Sequence, residues 1–219
     1  QVNRDGFGIH VTQNFKDMVA FQGLLCGGTL NAGDPEGSPP VPAGAQVWCT
    51  DGTTSDPDYP DRLLWTQRNL NGFGDPDNVK VWSTGMFNDY LYVGVEGWNP
   101  SPPPHGSPRE GTVWRTNDIS NPTSWEKVFS ASEAGFGNEV NRMDIIGAFD
   151  GYLYVGFLRP DYGTQVYRSA DGDHFVPVVN DGFGDGNNGR VIVDAATVYE
   201  GALYLATLNQ ISGAEVWRT

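Results

Sequence analysis

Apolar and polar residues alternate along this chain in short runs, and the runs recur. Four β-rich stretches share one pattern: "GLLCGGT" from Gly23, "DYLYVGV" from Asp89, "GYLYVGF" from Gly151 and "GALYLAT" from Gly201. A shorter strand-like segment precedes each and ends on an aromatic: Phe21, Phe87, Phe149 and Tyr199. After a loop comes a third strand: "QVWCT" (46–50), "TVWRT" (112–116), "QVYRS" (165–169) and "EVWRT" (215–219). A fourth strand follows three of these: "LLWTQRN" from Leu63, "SWEKVF" from Ser124 and "HFVPVV" from His174. Alternation with a period of two predicts strands with two packed faces. The glycines between them suit hairpins that need positive φ.

A Gly-Phe-Gly phrase opens each round: "DGFG" at 5–8 and 181–184, "NGFGD" at 71–75 and "AGFGN" at 134–138. The spacing between successive phenylalanines is 66, 63 and 47 residues. Most of the variation lies in the loop before the third strand, long at 31–44 and 99–111 and short in "RPDYG" and "NQISG". Four short strands per unit predict an all-β chain, a β-propeller of four-stranded antiparallel blades. The repeats run approximately 4–69, 70–133, 134–180 and 181–219, in a single domain or segment 1–219. A solenoid of stacked sheets is the other architecture considered. Gln1, Val2 and Asn3 align with the end of a fourth strand, as at 178–180. Two expectations follow: a window from a longer array of about five to eight blades, or a ring of four closed by the N-terminal residues.

Composition narrows the class. With 29 glycines, 15 prolines and 12% aromatic residues, the chain is rich in turns but not disordered. Thirteen basic residues face 27 acidic ones, for a net charge of −14. No clustered basic face is visible, which argues against nucleic acid and against adhesion to an anionic membrane. No apolar run approaches the ~20 residues of a membrane span, and no signal-peptide pattern is present in this sequence.

Two cysteines break the repeat pattern together. Cys26 aligns with Tyr92, Tyr154 and Tyr204, and Cys49 with Arg115, Arg168 and Arg218. These positions are cross-strand neighbours, so the Tyr–Arg pairs are expected to stack, and Cys26 and Cys49 are expected to form a disulfide. The other reading is two thiols in a reducing compartment. A disulfide would place the chain outside the cell, at its surface or in a periplasm.

"RSADGDHF" (168–175) looks like an Asp-box, S-x-D-x-G-x-x-W, in a slightly shortened form carried by Ser169, Asp171, Gly172 and Phe175. Its counterparts are degenerate: residues 49–65 carry an insertion, and 116–125 keep only the Asp and the Trp. The whole chain resembles bacterial secreted β-propeller proteins with Asp-box-like repeats of the non-catalytic sialidase type. The resemblance implies the fold. An Asp-box is itself a folding device, in which Asp and Ser or Thr satisfy hairpin backbone groups while the aromatic packs inward.

Catalytic patterns are scarce. His10, His105 and His174 share no metal-ligand spacing, and no nucleophile elbow, phosphate loop or Cys-x-x-Cys is present. Sialidase-type arginine motifs are absent as well. The expectation is a chain that is not an enzyme and has no certain cofactor. Clustered oxygens in "GDPDN" and "GDGNN" make Asp75, Asp77, Asn78, Asp181, Asp185 and Asn187 candidate Ca²⁺ ligands. Ordinary turn chemistry is the alternative for the same residues. The Pro-rich loops, with Pro39, Pro40, Pro103 and His105 and with Trp98 at the base of one, are candidate surfaces for a protein or carbohydrate partner or for other copies of the chain. The functional expectation is a secreted, non-enzymatic binding or structural module acting through loops on one face. The alternatives are a lectin-like glycan binder, or part of a glycoside hydrolase or lyase whose site lies in further blades.

Overall fold

The computed structural model describes residues 1–9, 12–33, 44–99, 107–159, 162–189 and 191–219. His10, Pro39, Pro40, Pro103 and His105 lie outside the described residues. The described residues form an all-β structure with antiparallel pairing throughout. The strands are β1 (Asn14–Phe21), β2 (Leu24–Leu30), β3 (Val47–Thr50), β4 (Thr66–Gln67), β5 (Asn78–Phe87), β6 (Tyr90–Asn99), β7 (Ser107–Thr116), β8 (Glu126–Ser130), β9 (Asp144–Phe149), β10 (Tyr152–Arg159), β11 (Gly163–Ser169), β12 (Val176–Val179), β13 (Val191–Tyr199), β14 (Ala202–Thr207) and β15 (Val216–Arg218). The predicted aromatic ends of the first strands, Phe21, Phe87, Phe149 and Tyr199, are the last residues of β1, β5, β9 and β13.

Four separate four-stranded sheets are not what forms. Strands β9 to β12 make one four-stranded sheet, β13 to β15 a three-stranded one, and β1 to β8 a single continuous sheet. The join within the last is narrow: Leu30 pairs with Lys80, and Asn31 N–H donates to the Val79 carbonyl at 2.9 Å. Glycine makes the approach possible. A Cβ on Gly28 would lie 2.3 Å from the Val81 side chain, and one on Gly94 would lie 2.3 Å from the Met143 carbonyl. At the first place β5, and at the second the backbone just before β9, occupies the space a side chain would fill.

Strand register places the aligned pairs opposite each other. Tyr92 faces Arg115, Tyr154 faces Arg168, Tyr204 faces Arg218, and Cys26 faces Cys49. Cys26 and Cys49 are joined by a disulfide, and both are buried beside Val47 and Ile119 in one apolar cluster. A second cluster gathers Tyr92, Val113, Phe129, Ile145, Leu153 and Phe157 between the second and third sheet regions.

Three of the Gly-Phe-Gly phrases hold their phenylalanine in the left-handed region: Phe7 at φ 55°, Phe73 at 60° and Phe183 at 61°. Such a backbone costs a non-glycine residue of order 1 kcal/mol or more. Ring stacking offsets it. Phe7 stacks on Trp48 at 5.0 Å, Phe73 on Trp114 at 5.1 Å and Phe183 on Trp217 at 4.8 Å. In the third repeat the tryptophan position is Tyr167, and Phe136 relaxes to φ −115° and packs edge-on against Phe157 instead.

Candidate functional site

The acidic loop after Phe73 is stitched by its own side chains. Asp77 N–H donates to Asp75 Oδ1 at 2.9 Å, and Asn78 Nδ2 donates to the Gly72 carbonyl at 2.9 Å. The Asp77 carboxylate accepts from Arg109 Nε at 2.9 Å, and its backbone carbonyl accepts from Trp98 N–H at 2.7 Å. The fold thus brings Trp98 and the acidic loop, distant in sequence, to one place. The acidic loop borders a pocket of about 430 Å³ lined by Asp75, Asp77, Arg109, Glu110, Trp114 and Lys127, among others; Trp98 is not part of its lining.

Two cations offset part of the charge of three carboxylates in this pocket. Burial pushes the Glu110 carboxyl up, but its bonds to the Ser132 hydroxyl and amide, with Lys127 nearby, outweigh that and leave it below the usual carboxylate range. One face of the Trp114 indole rests on Phe73, and its Nε1 donates to Thr112 Oγ1 at 3.0 Å. The result is an indole beside three carboxylates and two cations, suited to a polyhydroxylated ligand.

The other acidic loop is similarly self-satisfied. Asp181 Oδ1 accepts from Gly184 N–H at 3.1 Å, and Asp185 Oδ1 accepts from the Asn187 amide at 2.8 Å. That amide, with Asn209 and Ser212, holds Asp185 below its ordinary value against burial. Among the described residues no group of three or more His, Cys, Asp or Glu is placed to hold a metal ion. The hub here is Asn188, which sequence reasoning passed over for its neighbour. Asn188 Nδ2 donates to the Gly182 carbonyl and to Glu215, while its Oδ1 accepts from Thr207 and Asn209. Its alignment with Asn78 across "GDPDN" and "GDGNN" was the available signal.

A further polar cluster lies where β5, β6 and β9 meet. Lys80 Nζ sits 3.3 Å and Arg142 Cζ 3.5 Å from the Trp82 ring centroid, with Lys16 at 4.8 Å. Trp82 Nε1 donates to Glu96 Oε2 at 2.6 Å, and Arg142 Nε donates to the buried Asp144 at 2.8 Å. The chain's own cations take up the Trp82 π surface, so this ring is no platform for a ligand.

The turn at 169–174 is closed by local hydrogen bonds. Gly172 N–H donates to Ser169 Oγ at 2.8 Å, and the amides of Asp173 and His174 donate to Asp171 Oδ1 at 2.9 Å. In the turns after Thr50 and Thr116 the hydroxyl also accepts from the turn backbone, but from the residue two on rather than three: Gly52 N–H on Thr50 Oγ1 and Asp118 N–H on Thr116 Oγ1. Phe175 stacks on Phe129 of β8 at 4.7 Å. The Tyr–Arg expectation needs correction. Each arginine is opposite the expected tyrosine, but Arg168 stacks on Tyr152 at 4.2 Å rather than on Tyr154. A side chain directly opposite is too close for the long guanidinium arm, which reaches the diagonal ring instead. Arg218 has Ala202 at that diagonal position, so the fourth repeat offers no ring there.

No protein-family model and no curated protein sequence matches the chain. Solved structures do match in fold. A provisionally named exo-beta-1,3-galactanase from Bifidobacterium bifidum s17 gives a TM-score of 0.51 at 12% identity, over 96% of this chain and 66% of its own. A beta-fructofuranosidase of Bombyx mori, in complex with sucrose, gives 0.50 at 13% identity, over 94% of this chain and 44% of its own. A family 117 glycoside hydrolase of Zobellia galactanivorans gives 0.49 at 9% identity, over 95% and 66%. The chain therefore spans less than two thirds of the length of these proteins. The likeness is one of fold. It corrects the expectation of a chain that is not an enzyme: the two matched structures with TM-scores of 0.50 and 0.51 carry the names of sugar-cleaving enzymes, and the non-enzymatic assignment is withdrawn.

Proposed function

We propose that this chain is a carbohydrate-recognising β-propeller segment, acting outside the cell, and that its sugar site is the pocket between the Asp75–Asp77 loop and Trp114. One observation carries the reading: an indole, three carboxylates, Arg109 and Lys127 line one open pocket of about 430 Å³. A pyranose or furanose ring presents C–H faces that pack on an indole and hydroxyls that bond carboxylates and cationic donors. The fold shared with sugar-cleaving proteins supports the substrate class. The Cys26–Cys49 disulfide supports an oxidising compartment. The turns after Thr50, Thr116 and Ser169 are read as Asp-box-type turns, and the sheets as propeller blades.

Bond cleavage is the second reading, favoured by carboxylates sharing the pocket. Glycoside hydrolysis uses two such groups across the scissile bond, and Asp75, Asp77 and Glu110 are available here. A glycan array followed by calorimetry tests binding, with β-galactan and fructan fragments as first probes. Trp114→Ala and Asp77→Asn should each weaken any sugar detected by about tenfold or more, as expected for loss of 1.4 kcal/mol. Binding that is unaffected by both variants, or no binding by any glycan, would overturn this site. Reducing-sugar release from the same fragments, lost in Glu110→Gln, would establish cleavage.

A further inference from the structure

The register of β6 on β7 shifts between Val95 and Gly97. The segment 138–142 leans on both strands at that shift. Gly97 N–H donates to the Asn141 carbonyl and Gly111 N–H to the Val140 carbonyl, each at 2.8 Å. Glu96 forms an isolated bridge with Arg142. Glycine is needed on each strand: a Cβ on Gly97 would lie 2.3 Å from the Glu110 carbonyl oxygen, and one on Gly111 would lie 2.7 Å from the Arg142 backbone. A bulge of this kind re-aims the side chains around it.

Two pockets border this one segment. Asn138 lines the pocket of Asp77 and Trp114. Glu139, Asn141 and Arg142 line a smaller one of about 110 Å³, together with Trp82, Glu96 and Asp144. In the smaller pocket most polar groups are already engaged. Glu96 accepts from Trp82 Nε1 at 2.6 Å with one oxygen and from Asn141 Nδ2 at 3.3 Å with the other. Arg142 Nε donates to Asp144 at 2.8 Å, but its Nη1 is buried with no hydrogen-bond partner. The Glu139 side chain is 67% exposed, and its carboxylate lies 3.9 Å from Arg159 Nε, beyond hydrogen-bond distance. Among the described residues, the Arg142 donor and the Glu139 acceptor are left for a ligand. The ring of Trp82 is covered by Lys80 and Arg142, so this pocket grips by hydrogen bonds and not by stacking.

We propose that the pocket at Glu139 and Arg142 is a second subsite of the sugar site, and that the ligand is an oligosaccharide whose chain crosses the segment 138–142. The inference rests on the reading of the Asp77–Trp114 pocket as a sugar site. One sugar packs at Trp114. A sugar further along the chain offers a hydroxyl oxygen to Arg142 Nη1 and a hydroxyl proton to Glu139. A short fragment fills the first pocket alone, so affinity rises with chain length once the second is engaged.

Calorimetry with β-1,3-galactan and fructan fragments tests this, each as disaccharide and tetrasaccharide. The tetrasaccharide of the polymer that binds should bind about tenfold or more tightly than its disaccharide. Glu139→Gln and Arg142→Lys, the second keeping a cation beside Asp144, should each lower the tetrasaccharide's affinity to about that of the disaccharide. Circular dichroism of each variant reports that the β fold is kept. Disaccharide binding that is lost in Trp114→Ala, with no gain on lengthening or a gain that survives both variants, would overturn the second subsite and leave the first standing. An equal loss for both lengths in the two variants would overturn it as well. No binding by any of these fragments would overturn both sites.

Discussion

Arg115 lies directly opposite Tyr92 across β6 and β7, yet its guanidinium rests over the ring of Tyr90, 4.6 Å from the centroid. From there it reaches Glu126 at 2.6 Å and the Gly172 carbonyl at 3.1 Å. One side chain therefore joins its own last strand, a diagonal aromatic and the turn of the next sheet. Replacing it with lysine keeps the charge but loses the planar fork. Arg115→Lys should cost about 1–2 kcal/mol in denaturant unfolding, and Tyr90→Leu about 0.5–1 kcal/mol.

Gly172 is the point of closest contact at that junction. Its φ is +79°, and a Cβ there would lie 1.9 Å from the Tyr92 hydroxyl oxygen. Gly172→Ala should therefore destabilise by roughly 2–4 kcal/mol through strain and steric clash. Adding Tyr92→Phe removes the first atom met and should return part of the loss. A double-mutant cycle measured by urea melts checks it; strict additivity would show the turn yields elsewhere.

The disulfide replaces a polar pair with a covalent one under Ile119. Replacing Cys26 and Cys49 together by alanine should lower stability by about 2–4 kcal/mol. A reducing agent should lower the midpoint of the native chain and leave that of the double variant unchanged. Equal sensitivity of both would point to another origin.

Asp171 and His174 form a surface pair, with Nδ1 to Oδ2 at 2.8 Å. The amides of His174 and Asp173 hold the Asp171 carboxyl well below the usual range, and the carboxylate in turn raises the His174 pKa. The two contributions have opposite pH windows. That of His174 is present below the ordinary histidine value of about 6.5 and fades as pH rises through the raised one. That of Asp171 is present above the ordinary carboxylate value of about 3.9 and is lost as pH falls through the lowered one. An NMR titration of His174 should show the raised value, and Asp171→Asn should bring it down towards 6.5.

Much of this was legible because it is written in repeats. The strand ends at Phe21, Phe87 and Phe149, the Tyr–Arg register and the Cys26–Cys49 pairing all follow from aligning one round on the next. The stacking partner of Arg115 was not legible, since alignment reports which residue is opposite and not how far a long side chain leans. The left-handed Phe73 was hidden for a related reason: nothing in "GFG" alone says that the phenylalanine takes positive φ along with both of its glycines. Its dependence on Trp114 could have been guessed from the third repeat, where the tryptophan becomes Tyr167. The pocket near Trp114 joins Asp77 to Arg109 across 32 positions, a contact created by β6 pairing with β5 on one side and β7 on the other.

The narrow join between β2 and β5 bears on how the molecule comes apart. A hydrogen-bond ladder that passes from one sheet into the next ties their opening together. Strands β1 to β8 should then behave as one cooperative unit in native-state exchange, releasing their slowest amides at a common free energy, while β9–β12 and β13–β15 open as smaller units of their own. A protease acting on partly opened molecules would cut within 131–219 first and leave the larger N-terminal unit as the durable fragment.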